Sequence, residues 1–251
     1  MVSSSKIKIL LIFAIMFRVI TTMLLNNVSA IFKKMSYAAM RAGRNPEDVR
    51  LIAVTKTVGI ETIKEAVEIG LRMFGENRVQ EAKDKISNLK SQISNTMIEW
   101  HLIGHLQKNK AKYAVNLFDL IHTVDSVGLA EELNKQAEKA GKIQRVLVQV
   151  KLSEEEAKQG ASEEEMMPLL AVIKHLSNLK IEGLMTMPPF FEDPEMARPY
   201  FRRLRELRDE AERNGFILPE LSMGMSNDFE IAIEEGATLV RIGTAIFGER
   251  R

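Results

Sequence analysis

From residue 50 onward the chain alternates two rhythms. Short apolar runs recur at 50–55 (RLIAVT), 71–75 (LRMFG), 98–103 (IEWHLI), 119–123 (DLIHT), 145–151 (RVLVQVK), 181–186 (IEGLMT), 219–223 (PELSM) and 238–242 (TLVRI). Their length and composition predict strands. Between them, 60–69, 77–93, 107–117, 126–140, 163–177, 194–213 and 227–235 read as amphipathic helices. Gly70, Gly141 and Gly215 each stand just past one of these helices, where a left-handed cap is wanted. Eight strands separated by helices predict an α/β fold with a parallel sheet. Eight such units in about 200 residues point to a single (β/α)8 TIM-like barrel more than to an open doubly wound sheet.

Ahead of the first strand, Leu24, Val28, Ile31, Phe32 and Met35 recur at helical spacing and predict an N-terminal helix. Residues 1–22 form an atypical hydrophobic extension. Lys6 and Lys8 precede the apolar run 9–17 (ILLIFAIMF), and Arg18 follows it. The pattern resembles a secretory signal, with Val28 and Ala30 suited to a cleavage site. The run is shorter than the ~20 residues that span a bilayer, and cleavage after Ala30 would remove part of the first helix's apolar face. The reading adopted is therefore an extension, 1–22, ahead of a barrel at 23–251 in a cytoplasmic protein without membrane contact. The extension is either an elongated first helix or the product of a start upstream of Met23.

Composition narrows the function classes. The 35 basic and 34 acidic residues nearly balance, and no polybasic block invites nucleic acid. The acidic runs Glu154–Glu156 and Glu163–Glu165 read as solvated loop and helix-start residues, the latter suited to the helix dipole. There is no cysteine, which excludes disulfides, thiolate catalysis and cysteine-ligated metals. No two histidines with a carboxylate show metal-ligand spacing, and Gly104 breaks the interval between His101 and His105, so no metal is expected.

In a barrel the site lies at the C-terminal strand ends. Ile52, Val54 and Lys56 share one face of the first strand, so Lys56 is expected to point inward at the mouth. Partial burial there would lower its pKa, and a neutral lysine amine is the group that condenses with a carbonyl. The bland alternative is a lysine snorkelling out of a strand end. The last two strands run into SMGMSND and RIGTAIFG. Ser226 is a candidate helix cap whose hydroxyl and following N–H groups suit a phosphate; Gly243 allows close approach and Thr244 offers a hydroxyl. Barrels often bind phosphate with these two loops. A Schiff-base lysine facing a phosphate cup describes a pyridoxal phosphate site. Arg241 shares a face with Gly243 and either donates to the cofactor's ring nitrogen or pairs with a carboxylate. A strand histidine such as His101 is more often structural than catalytic. Lys108, Lys110 and Lys112 read as a solvated face, with Asn109 and Lys110 as weaker rim candidates.

The motifs AVTKT, FGENRVQE, WHLIGHLQKNK, GLMTM, LSMGMSND and VRIGTAIFG, in this order, resemble those of the pyridoxal phosphate homeostasis protein family over roughly residues 24–249. The resemblance implies a fold type III barrel similar to that of alanine racemase. It implies covalent pyridoxal 5'-phosphate and a role in vitamin B6 and amino-acid homeostasis without robust catalysis. It makes Lys56 the Schiff-base residue, and Met225, Ser226, Gly243 and Thr244 the phosphate cup. Arg241 faces the ring nitrogen, and Asn77 and His101 line the pocket. PLP-dependent apoenzymes are the partners it suggests, for a monomer or weak dimer. A racemase is the alternative. It needs acid–base groups on both faces of a carbanion. Tyr37, Tyr113 and Tyr200 fall in predicted helices, no second domain is expected to supply another base, and His101 is the one serious candidate beside Lys56. A cofactor-free sugar-phosphate isomerase would explain the cup but leave Lys56 idle.

Overall fold

The computed structural model describes residues 4–92, 96–153 and 159–249, with the backbone alone for 4–21. The acidic run at Glu154–Glu156 lies outside the described residues. Eight parallel strands close into a barrel in chain order: β1 (Arg50–Val54), β2 (Met73–Glu76), β3 (Glu99–Leu102), β4 (Leu120–Val124), β5 (Gln144–Gln149), β6 (Leu179–Met185), β7 (Glu220–Ser222) and β8 (Leu239–Ile242). Helices α2 (Ile60–Glu68), α3 (Val79–Gln92), α4 (Ala111–Leu117), α5 (Val127–Lys139), α6 (Glu163–Lys174), α7 (Arg198–Arg213) and α8 (Phe229–Glu234) connect them, and a short α9 (Thr244–Phe247) follows β8. The expected barrel is the observed one, and the open sheet is excluded by the pairing of β1 with β8.

Three boundaries moved for local reasons. The expected helices at 107–117 and 194–213 each begin with a 3-10 turn, Lys108–Lys110 and Pro194–Ala197, before the α-helix proper. In the second, Asp193 accepts from the Glu195 N–H and Pro194 opens the turn. The helix expected at 227–235 starts at Phe229. Gly70, Gly141 and Gly215 have φ of 103°, 64° and 81°, the cap conformation expected of them. At α6, Ser162 and Glu165 form a reciprocal capping box.

α1 (Ser4–Arg41) passes through residues 22 and 23 without a break, so the hydrophobic extension continues the first helix. Leu24, Val28, Ile31 and Met35 are buried, while Phe32 is exposed rather than part of that face. The helix packs against α8 and α9. Arg41 pairs with Glu230 and Glu234, Arg44 donates to the Ile233 carbonyl, and Asn27 donates to the Ile246 carbonyl. Among the described residues no helix is long and apolar enough to cross a membrane.

Strand alternation sorts the core. Outward residues such as Ala53, Phe74, Ile121, Val146, Val240 and Ile242 join the helices in one large apolar cluster. Inside the barrel, Ile52, Leu120, Leu147, Met185 and Leu239 form a separate apolar plug, with Met73 against it. Charged residues lie on the N-terminal side of this plug, where Arg50 pairs with Glu220 and Arg145 bridges Glu99 and Glu182.

Candidate functional site

Lys56 follows β1 in a turn shaped by its neighbours. Thr55 is fully buried and its hydroxyl donates to the Glu76 carboxylate at 2.6 Å. Thr57 adopts φ 61°, a left-handed conformation uncommon for a β-branched residue. Its N–H donates to Glu81 at 2.6 Å. Lys85 of α3 ties the turn down, donating to the Thr55 carbonyl, to Glu76 at 2.8 Å and to Glu81 at 2.6 Å. Burial pushes the Glu76 carboxyl up, against the pull of Lys85 and Thr55. Burial also pushes on Glu81, but the Lys85 and Thr57 hydrogen bonds outweigh it and hold Glu81 down. A strained residue held by an ion pair suits a site where one side chain must be presented. Lys56 itself is exposed, not partly buried as its place on the strand face suggested. The turn after Val54 carries it out of the packed interior.

The β8 end stands beside this turn rather than across the mouth from it. Ala53 pairs with Ile242, so Gly243 and Lys56 lie on adjacent strand ends. The β7 loop reaches the same place. Gly224 has φ 90°, and a Cβ there would sit 2.6 Å from the Ala232 Cβ, so only glycine lets the loop fold back onto α8. The Gly224 carbonyl accepts from the Arg241 N–H, locking β7 to β8. Ser226 does not cap α8: Asp228 holds the N-cap position and its carboxylate accepts from the Met225 N–H at 2.6 Å. The Ser226 hydroxyl turns instead toward α9 and accepts long, 3.4 Å bonds from the Gly243 and Ala245 N–H groups. Thr244 is exposed at the same edge.

Beneath the mouth lies a hydrogen-bonded file of side chains. Arg241, buried on β8, donates to the Thr186 carbonyl at 2.8 Å and to the Ser222 hydroxyl at 2.6 Å. Ser222 lies 2.8 Å from His122 Nδ1, and His122 Nε2 lies 2.8 Å from His101 Nδ1. His101 Nε2 is 3.2 Å from the Glu99 carboxylate, in reach but too oblique for a full hydrogen bond. The ends fix the direction. A guanidinium can only donate and a carboxylate can only accept. The arrangement that satisfies every member therefore has Ser222 donating to His122, His122 donating from Nε2 to His101, and His101 carrying its proton on Nε2 toward Glu99. Burial pushes the His122 pKa well down, and the nearby Arg241 and Arg145 cations add to that, so His122 is neutral as the file requires. Burial lowers Arg241 to about 10, with Asp228 opposing, which leaves it cationic at neutral pH. The anticipated alternative of a carboxylate in contact with Arg241 is not what it meets.

Glu99 is held down to about 2 by the His101 N–H first and by Arg145, against the cost of burial. Its pKa is depressed on folding, so its contribution is complete above the ordinary 4.5 and disappears as pH falls to about 2. Urea midpoints measured across that window should fall, and Glu99→Gln should remove up to about 3 kcal/mol of the fall. An unchanged slope in the variant would refute the assignment.

The sequence-selected residues are thus only partly assembled. Lys56, Ser226, Gly243 and Thr244 gather at the β1, β7 and β8 ends, with Arg241 one step below. Asn77 stands at the β2 end, where Gly104 is needed because a Cβ would meet the Asn77 carbonyl at 2.2 Å. It lines a cavity of about 490 Å³ with Gly104, His105, Gln107 and Lys110; Asn109 is exposed outside that lining. Met225 lines a second cavity, of about 380 Å³, at the β5 and β6 ends. His101 is not on the mouth: it is 1% exposed. A larger cavity, about 640 Å³, opens at the opposite end around Arg72, Glu99 and Arg145, away from these residues. His122 and Ser222 were missed. Strand alternation could have found both, since His122 shares a face with Leu120, and Ser222 with Glu220. Among the described residues no cluster of metal-ligating side chains occurs.

The chain matches the family described as alanine racemase, N-terminal domain, over residues 27–251. A pyridoxal phosphate homeostasis protein of Aquifex aeolicus is 48% identical over 225 residues, covering 89% of this chain and 97% of the relative. The chain belongs to the pyridoxal phosphate homeostasis protein family. The structure of PipY from Synechococcus elongatus PCC7942 with PLP bound is 36% identical, with a TM-score of 0.78, and covers 90% of this chain and 100% of that one. An alanine racemase of Clostridium difficile 630 shares the fold at 15% identity, with a TM-score of 0.70 over 91% of this chain and 57% of the racemase.

Proposed function

We propose that this chain binds pyridoxal 5'-phosphate at the β1, β7 and β8 ends, with Lys56 holding the aldehyde covalently, and serves cytoplasmic vitamin B6 and amino-acid homeostasis as a carrier. The observation that carries the reading is the adjacency of Lys56 and Gly243 across the β1–β8 pairing, with Arg241 directly below. The donor set fits the group. An exposed amine, a serine and a threonine hydroxyl and two convergent N–H groups supply what an aldehyde and a phosphate need. Bound there, the cofactor would supply an electrophilic carbon and a ring able to accept electrons. Ser226, Thr244 and the Gly243 and Ala245 N–H groups would hold the phosphate. Arg241, with no proton to accept, would present donors alone to the ring nitrogen and keep it unprotonated, which weakens the ring as an electron sink.

The racemase reading needs a second base facing Lys56. His101, the candidate for that role, is buried, one ring nitrogen hydrogen-bonded to His122 and the other directed at Glu99. This favours the carrier. PLP-dependent apoenzymes as recipients, and a monomeric or weakly dimeric state, belong to the same reading.

Borohydride reduction of the cofactor-loaded protein, followed by peptide mapping, should place the adduct on Lys56; label on another lysine would overturn the site. Single-enantiomer amino acids incubated with the loaded protein in D2O should show little α-proton exchange and no racemisation. Fast turnover would replace the carrier with the enzyme.

A further inference from the structure

We infer that Glu81 is a positioning residue for Lys56. It fixes the peptide that follows the lysine, with Lys85 holding it in place, and this role rests on the reading of Lys56 as the amine that takes the aldehyde. The Val58 N–H donates to the Thr55 carbonyl at 2.9 Å, so residues 55–58 form a β-turn with Lys56 and Thr57 at its centre. Of these two, Thr57 alone has a positive φ, 61°. That is the pattern of a type II turn, whose third residue is ordinarily glycine or asparagine. A threonine there is strained. A type I turn, with negative φ at both central residues, lies one flip of the central peptide away.

The central peptide joins Lys56 to Thr57, and its N–H is the group that Glu81 accepts at 2.6 Å. A flip would swing that N–H away from the carboxylate and turn the Lys56 carbonyl oxygen toward it. A charge-assisted bond would give way to a repulsion. The carboxylate is itself held. Lys85, one helical turn further along α3, donates to Glu81 at 2.6 Å and to the Thr55 carbonyl. Its remaining proton goes to Glu76 at 2.8 Å. The three donors of the ammonium are thereby all used. Through Glu81 and Lys85, α3 grips the peptides on both sides of Lys56. The rotamers open to a side chain depend on its own φ and ψ, and ψ of Lys56 is an angle that the flip would change. Glu81 thus selects how an exposed amine is presented. Capture joins that nitrogen to the aldehyde carbon and releases the aldehyde oxygen as water.

The first test needs no cofactor. In NMR spectra of the full chain, a strong Overhauser contact from Lys56 Hα to the Thr57 N–H marks the type II turn. In Glu81→Ala it should be replaced by the contact between the Lys56 and Thr57 N–H groups that a type I turn gives. The second test follows the imine band after addition of pyridoxal phosphate. Glu81→Ala should form it at least about fivefold more slowly, with unchanged circular dichroism. Pyridoxine 5'-phosphate has an alcohol in place of the aldehyde and should bind both proteins alike. Adding Thr57→Gly should restore most of the lost rate, because glycine takes a positive φ without a tether. If Glu81→Ala does not fold, Glu81→Gln, which keeps an oxygen but loses the charge, should show the same changes in smaller measure. A type II turn retained in the folded variants, an unchanged rate, or an equal loss for pyridoxine 5'-phosphate would overturn the role of Glu81. Absence of an imine band in the wild-type chain would count against the cofactor reading, while the turn measurement still decides whether Glu81 holds the peptide.

Discussion

Lys56→Ala is expected to abolish the borohydride-stable adduct and to weaken retention of pyridoxal phosphate by roughly a hundredfold. The visible imine band of the loaded protein should vanish with it. Stability should scarcely move, within about 0.5 kcal/mol, because the side chain is exposed and its turn is held by Thr55, Glu76, Glu81 and Lys85. The separation of the two readouts makes the experiment informative. Loss of the band with an unchanged urea midpoint supports direct capture by this amine. Loss of both would mean that the lysine holds the turn, and a retained band would mean that another amine carries the cofactor.

The second large effect lies beneath the mouth. His122→Leu should destabilise the fold by about 2–4 kcal/mol, because the Ser222 hydroxyl and His101 Nδ1 both lose a buried partner. Ser222→Ala should cost a comparable amount, since it leaves the Arg241 guanidinium and His122 Nδ1 each short of a buried partner. A double-mutant cycle of His101→Leu and His122→Leu, followed by urea denaturation, should show strong coupling, as the second substitution removes a partner already lost. Additive losses would mean that the two rings merely fill space. Arg241 gives the file a functional readout as well. In the His122 variant, Ser222 is free to rotate, and the pH dependence of the loaded protein's absorbance should shift as the guanidinium loses its fixed place.

The barrel was legible because eight βα units leave a periodic trace that no single ambiguous segment can erase. The candidate site stood out where glycine and small residues broke that trace, at SMGMSND and RIGTAIFG. Three things were not. The exposure of Lys56 depends on the left-handed turn at Thr57, and nothing in a threonine announces φ > 0. The Ser226 hydroxyl looks like a helix cap from its position, but Asp228 takes that place and frees it to face α9. His101 looked like a mouth residue because it lies near a strand end. Its actual partner, His122, is on the next strand, and pairing across strands depends on a register that local sequence does not carry.

The closure of β1 against β8 has a consequence for the order of events on the ribosome. Lys56 emerges early, while the loop carrying Gly243 and Thr244 is almost the last part of the described chain to be made. At ordinary elongation rates of ~5–20 residues per second, the two are separated by ~10–40 s. Throughout that interval the lysine proposed to hold the cofactor has no β8 loop beside it. On the proposed reading, stable loading with cofactor therefore becomes a mark of completed synthesis, which nascent or C-terminally clipped chains would lack.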